Sequence, residues 1–242
     1  MPVRIHLRLP AVTTMTQIQP RKTLTEQVAC HVEDLIAYGE LHSGERIYES
    51  AMAKQLNVSH GSVREALLLL EKRHLVRNVP RKGAFVTELD EHFVRSLYET
   101  LELYLTHTGG KLIRSRQGRD MEHLQSLYEG MADCFEKQDL TGFLELGMEY
   151  TKASLAYANN YFISSAIEDL WPSARRCAFV VFQRGGHQVL EDSLSHIRDS
   201  LQAIRNRDEQ QLANILHHYA RQQCQQVLDA IGASPAAGHK LQ

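Results

Sequence analysis

Between Gly44 and Phe85 the chain carries an ordered pattern that few folds satisfy: a short helix, a tight turn, a second helix with a hydroxyl at its start, and a basic hairpin. Met52, Ala53 and Leu56 recur at helical spacing over Glu49 to Leu56, and Asn57 is suited to close that helix in a left-handed conformation. Val58 anchors the turn. Ser59 is placed to cap the next helix, because its hydroxyl can accept one of the backbone N–H groups that a first helical turn leaves unpaired. That second helix is predicted from about Gly61 to Arg73, with Val63, Ala66, Leu67 and Leu70 turned inward. Ser59, His60, Gly61, Ser62 and Arg64 then lie on the turn that a recognition helix presents to the major groove, and Ser50 joins them from the preceding helix.

Lys72, Arg73, Arg77, Arg81 and Lys82 follow with no acidic residue between them, and Val76 to Val79 can pair with Ala84 to Val86 around Pro80 to Gly83. A cationic hairpin tip suits phosphates or a narrow minor groove, whose negative potential attracts arginine. Arg73, Arg81, Lys82 and Gly83 therefore complete the candidate DNA-binding set. A basic run standing alone is as readily a solvated face; beside a capped recognition helix, the DNA-binding expectation is preferred.

These motifs, together with Val28, Leu35 and Ile36 of a first helix, the run Gly39 to Ile47, and Leu75-Val76, make Leu24 to Val86 resemble the winged-helix domain of GntR-type bacterial transcription regulators. The family pattern usually has Arg where His60 stands and often Thr-Pro where Gly61-Ser62 stand. Arginine reads guanine through two hydrogen bonds, whereas histidine offers one ring edge, so the operator bases are expected to differ accordingly. Arg64 matches the family's arginine, which the resemblance implies is an essential DNA contact.

With 242 residues, 43% of them hydrophobic, the chain can build a small DNA-binding domain and a second core of ordinary size. A net charge of -2 argues against indiscriminate coating of nucleic acid, so DNA affinity has to come from locally placed cations. Cys30, Cys134, Cys177 and Cys224 are scattered without a Cys-x-x-Cys pair, which suits reduced thiols in the cytoplasm. Met1 to Pro20 lacks the apolar core of a signal peptide, and no later stretch approaches the roughly 20 apolar residues that span a bilayer. Residues 1–20 and 234–242 are expected to be loose tails. His217-His218, Cys224 and several carboxylates could be assembled on paper into a catalytic site. No phosphate loop, His-Glu-x-x-His or nucleophile elbow accompanies them, so no enzyme is expected.

From Asp90 onward apolar residues recur at helical spacing up to Ile231, which predicts helices over Glu91 to Arg116, Met121 to Lys137, Leu140 to Ala158, Tyr161 to Arg184, Val189 to Asn206 and Glu209 to Ile231. Asp139 and Asp208 are placed as caps, Asn159-Asn160 as an interruption, Gly185-Gly186 as a breaker, and Pro172 as a kink. The expected fold class is mainly α: a winged helix-turn-helix with a small β wing over 21–88 and an all-α helical bundle over 89–233.

The order of the halves, the stretch Tyr150 to Asn160, and the run Ala203-Ile204-Arg205-Asn206-Arg207-Asp208 resemble the FadR C-terminal domain of one GntR branch. That domain dimerises and holds a small-molecule effector, so the resemblance implies a homodimeric cytoplasmic repressor on a near-palindromic double-stranded DNA operator, with no membrane partner. Many members of that branch bind a divalent metal through an Asp and several His. The matching positions here are Gly147, Thr151, Ile197 and Tyr219, a poor ligand set, so neither a metal nor another cofactor is expected. The effector is then expected to be a metabolite acid or an acyl-CoA-like molecule. The candidate effector-binding residues are Glu149, Tyr150, Thr151, Arg175, Arg176, His196 and Tyr219, each of which also has an ordinary surface or packing explanation. The helix after Asp90, joined to the wing, is expected to carry the effector's influence to the DNA-binding half. A bundle that only dimerises is the alternative.

Overall fold

The computed structural model describes residues 22–115, 118–157 and 159–232, and both expected tails lie outside them. Helix α1 (Leu24–Ala37) begins in a reciprocal cap, with the Thr23 hydroxyl accepting from the Glu26 amide and the Glu26 carboxylate accepting from the Thr23 amide. Strand β1 (Arg46–Ile47) leads into α2 (Glu49–Leu56), which Asn57 ends at φ 53° in the expected left-handed conformation. Ser59 caps α3 (His60–Lys72) by accepting from the Ser62 amide at 3.1 Å, one residue ahead of the predicted start. Val63, Ala66, Leu67 and Leu70 are buried as expected, against Val28, Val32 and Ile36 of α1. Each such aliphatic side chain contributes about 1.5–3 kcal/mol when fully removed from water.

The wing is β2 (Val76–Val79) against β3 (Gly83–Val86), antiparallel, with Val79 opposite Gly83. β1 adds to its other edge, giving the order β1-β3-β2 and placing Arg46 opposite Phe85. Arg81 and Gly83 turn the tip with φ of 64° and 94°, a backbone region glycine occupies freely and arginine seldom does.

A second hydrophobic core is built by α4 (Glu91–Ser115), α5 (Gly118–Glu136), α6 (Leu140–Ala156), α7 (Tyr161–Asn206) and α8 (Glu209–Ile231). Asp139, Asn160 and Asp208 cap α6, α7 and α8 through their side chains. The bundle closes tightly where α8 crosses α4, since a Cβ on Gly109 would stand 3.0 Å from a Leu212 methyl.

One expectation fails here. Gly185-Gly186 does not break the chain into two helices, because α7 runs unbroken for 46 residues, through Pro172 as well. Two helical glycines cost about 1 kcal/mol each, whereas Val181, Phe182 and Val189 on either side are all buried and repay more than that.

Candidate nucleic-acid interface and enclosed cavity

The first turn of α3 is built around hydroxyls. Ser59 and Ser62 share a hydrogen bond of 2.9 Å between their Oγ atoms while Ser59 caps the helix, which leaves His60, Gly61 and Arg64 exposed beside them. Arg64 lies 3.3 Å from Glu49 at the start of α2, so the first turns of both helices meet, and Ser50 is exposed there too. At the wing, Arg81, Lys82 and Gly83 are exposed. Arg46 is exposed as well, with its guanidinium 4.9 Å from the Tyr48 ring centre and 3.6 Å from where a Gly83 Cβ would be. Sequence patterning alone misses Arg46 and Tyr48, because the two-residue β1 gives no periodicity; only its pairing with β3 carries them to the wing.

The basic run divides. Lys72 pairs with Asp169 at 2.9 Å, Arg73 with Glu33 at 3.0 Å and Arg77 with Glu88 at 2.9 Å. Among the described residues, Arg81 and Lys82 have no ion pair. Arg73 ends α3, at the far end from the groove-facing turn, and its side chain is held half-buried against α1. Acids elsewhere in the chain pair with three of the five cations in what looks like an unbroken basic run.

In the bundle, α4, α6, α7 and α8, with Met131 of α5, line a partly open cavity of about 180 Å³. Leu101, Leu105, Leu112, Phe143, Leu144 and Phe182 form much of its wall, while Tyr98, Tyr150, Thr151, Ser193, His196, Ser200, Tyr219 and Gln223 bring polar atoms to it. His196 stacks on Tyr219 with ring centres 3.8 Å apart. Burial, helped by the charge on His218, pushes the His196 pKa down to about 3, so the ring is neutral at physiological pH. Burial also pushes Tyr150 up, beyond its ordinary range, and raises Tyr219. The Ser193 and Ser200 hydroxyls are buried, Ser193 with only the Tyr219 hydroxyl beside it and Ser200 without a hydrogen-bond partner. They share one face of α7 with His196, a spacing of three and seven residues visible in the sequence but not separable there from ordinary packing.

Of the candidate effector residues, Tyr150, Thr151, His196 and Tyr219 line this cavity; Glu149, Arg175 and Arg176 do not. Glu149 is exposed beside Lys152. Arg175 donates to Asp34 at 2.7 Å and to the Tyr38 hydroxyl at 2.8 Å, and Arg176 donates to the Thr87 carbonyl at 2.7 Å and to Ser43 at 3.2 Å. Both arginines turn away from the bundle onto the winged helix, as one-hundred-degree steps around a helix allow when Trp171, Ala174 and Ala178 of the same stretch face the cavity.

Gly147, Thr151, Ile197 and Tyr219, the positions matching the metal ligands of that GntR branch, do come together at the cavity wall. The donor set does not fit a divalent cation. Gly147 and Ile197 have no donor, Thr151 donates its hydroxyl to the Gly147 carbonyl at 3.1 Å, and no carboxylate lines the space. Among the described residues, no lysine or arginine lines this cavity.

Two family descriptions match this chain: bacterial regulatory proteins of the gntR family over residues 24–86, and the FCD domain over residues 96–222. The chain is 22% identical to the HTH-type transcriptional repressor RspR of Escherichia coli over 174 residues, covering 71% of this chain and 75% of RspR. It is 23% identical to the gluconate operon transcriptional repressor of Bacillus licheniformis over 195 residues, 79% of each chain. Among solved structures, E. coli McbR/YncC shares the fold with a TM-score of 0.75 at 20% identity, over 87% of this chain and all of that one. No helix among the described residues is long and apolar enough to cross a membrane.

Proposed function

This chain belongs to the GntR family of bacterial regulatory proteins, with an FCD domain as its second half, and on that premise we propose that it is an effector-controlled repressor acting as a homodimer in the cytoplasm. As a member of that family it is a DNA-binding transcription regulator. The winged helix, taken as 21–88, meets the operator through Ser50, Ser59, His60, Gly61, Ser62, Arg64 and the wing residues Arg81, Lys82 and Gly83, with Arg46 added. The bundle, taken as 89–233, dimerises and spaces two such domains on a near-palindromic site. It binds its effector without a metal, in the cavity reached by Tyr150, Thr151, His196 and Tyr219.

The observation that carries this proposal is the double-sided stretch of α7. Trp171, Ala174 and Ala178 line the cavity, while Asp169, Ser173, Arg175 and Arg176 hold the winged helix through Lys72, the Arg73 carbonyl, Asp34 and the Thr87 carbonyl. A ligand that prefers one position of this stretch shifts the winged helices with it, and one that prefers neither shifts nothing. This route runs through α7, in addition to the covalent link from the wing into α4.

The test is selection of operator DNA from random oligonucleotides by the full chain. Two inverted half-sites whose centres lie about one helical turn apart, roughly 34 Å or a multiple of it, are expected. Recovery of single half-sites, or no preference at physiological salt, would defeat the dimeric-operator reading. Dialysis of the purified protein against a chelator is expected to leave affinity for that DNA unchanged; loss of binding that zinc or nickel restores would defeat the metal-free part.

A further inference from the structure

Taking the bundle as an effector domain, we infer that its ligand is an uncharged, largely apolar molecule about the size of a single six-membered ring, held through hydroxyl or carbonyl oxygens by Ser193 and Ser200. Three observations converge on that class. The space is about 180 Å³, little more than the roughly 150 Å³ apolar cavity that accepts benzene in an engineered protein, so the part of a ligand that lies inside it is about one ring in size.

Among the described residues no Asp, Glu, Lys or Arg lines the wall, and the His196 imidazole there is neutral. A carboxylate or ammonium group buried there would lose its hydration without gaining a counter-charge, which disfavours both. An uncharged ligand pays no such penalty.

Ser193 and Ser200 are 3% and 4% exposed; Ser193 has only the Tyr219 hydroxyl beside it and Ser200 has no hydrogen-bond partner, although Thr108, Thr151 and Ser154 on neighbouring helices each donate to a carbonyl of their own helix. A buried hydroxyl without a partner is a standing cost to the fold, and an oxygen on the ligand relieves it. The serines stand two helical turns apart along one side of α7, with His196 and Ile197 between them, so they bracket a ring rather than clamp a single atom.

Trp171 is the sole tryptophan of the chain and lines this cavity, so its emission reports occupancy directly. The full chain is titrated at neutral pH with four molecules of similar shape: cyclohexanol, methylcyclohexane, cyclohexanecarboxylate and cyclohexylammonium. Cyclohexanol is expected to change Trp171 emission saturably, with the two ions binding at least tenfold more weakly. The double variant Ser193→Ala, Ser200→Ala is expected to weaken cyclohexanol binding by about tenfold, the range for losing a net hydrogen bond, while leaving methylcyclohexane unaffected. Ser200→Ala alone removes an unpaired hydroxyl and should melt no lower than the natural chain, and it is expected to weaken cyclohexanol binding in the same direction, which makes the binding data interpretable.

Either ion binding as tightly as cyclohexanol overturns the ligand class and leaves the effector reading standing. Cyclohexanol binding that is indifferent to both serines overturns their role. Silence of Trp171 towards all four molecules, in protein that still binds its selected operator, removes the ligand class together with the cavity as an effector site.

Discussion

Arg64 carries most of the weight at the residue scale. It is 72% exposed, and its contact with Glu49 at 3.3 Å is the kind of solvent-facing ion pair that contributes less than about 1 kcal/mol, so the guanidinium is easily exchanged onto a base. Arg64→Ala is expected to cost about 1–3 kcal/mol of operator affinity by fluorescence anisotropy, and unchanged affinity would place the recognition surface elsewhere. Wing and helix-end arginines should part company. Arg81→Ala should reduce the slope of log affinity against log salt by about 0.9, the share of one phosphate, whereas Arg73→Ala should leave that slope alone. An equal loss of slope from both would mean that the Glu33 pair opens on DNA. The candidate contacts on α3 were legible because capping and helical periodicity are local; the fate of Arg73 was not, since its partner is 40 residues away.

At the scale of elements, the long α7 is the departure that matters. Read as two helices, it offered no continuous lever; as one helix, it presents Trp171, Ala174 and Ala178 to the cavity and Arg175 and Arg176 to the winged helix. Arg175 also lies over the Tyr38 ring at 5.1 Å, and Tyr38 packs edge-on against Phe179. Arg175→Met removes the charge-assisted hydrogen bonds to Asp34 and Tyr38 and should cost about 1.5–3 kcal/mol of coupling between the halves. Calorimetry is expected to resolve two transitions in the variant and a single one in the natural chain. A single transition at an unchanged temperature would show that the junction is held by other contacts, such as those of Arg176. The adjacency of two arginines in the sequence gave no hint of direction, because which side of a helix meets which domain depends on how the domains are packed.

For the whole molecule, stability is tied to pH through the cavity wall. The unfolded chain binds a proton on His196 near its ordinary pKa of 6.5, while the folded chain resists doing so until about pH 3, because burial and then His218 disfavour the charged ring. The stability that His196 contributes is therefore complete above about pH 6.5 and is lost as pH falls towards 3, by up to about 1.4 kcal/mol per unit. His196→Gln should flatten that dependence in urea unfolding measured at pH 7 and pH 5. Equal slopes for the two proteins would mean that water reaches the ring freely.

What the sequence determined by itself is whatever local rules decide: the capped recognition helix, the left-handed Asn57, the hairpin, the all-helical second half, and membership of the family to which those motifs belong. Tertiary structure alone decided which charges remain available and what the bundle encloses. Glu33, Glu88 and Asp169 reach across the fold to pair with three of five clustered cations, and the helices of the bundle surround a space lined by hydroxyls and, among the described residues, by no charged side chain. Both outcomes depend on the distance and orientation of groups far apart in the chain. Periodicity can put a side chain on a face of its helix, but only packing determines what that face meets.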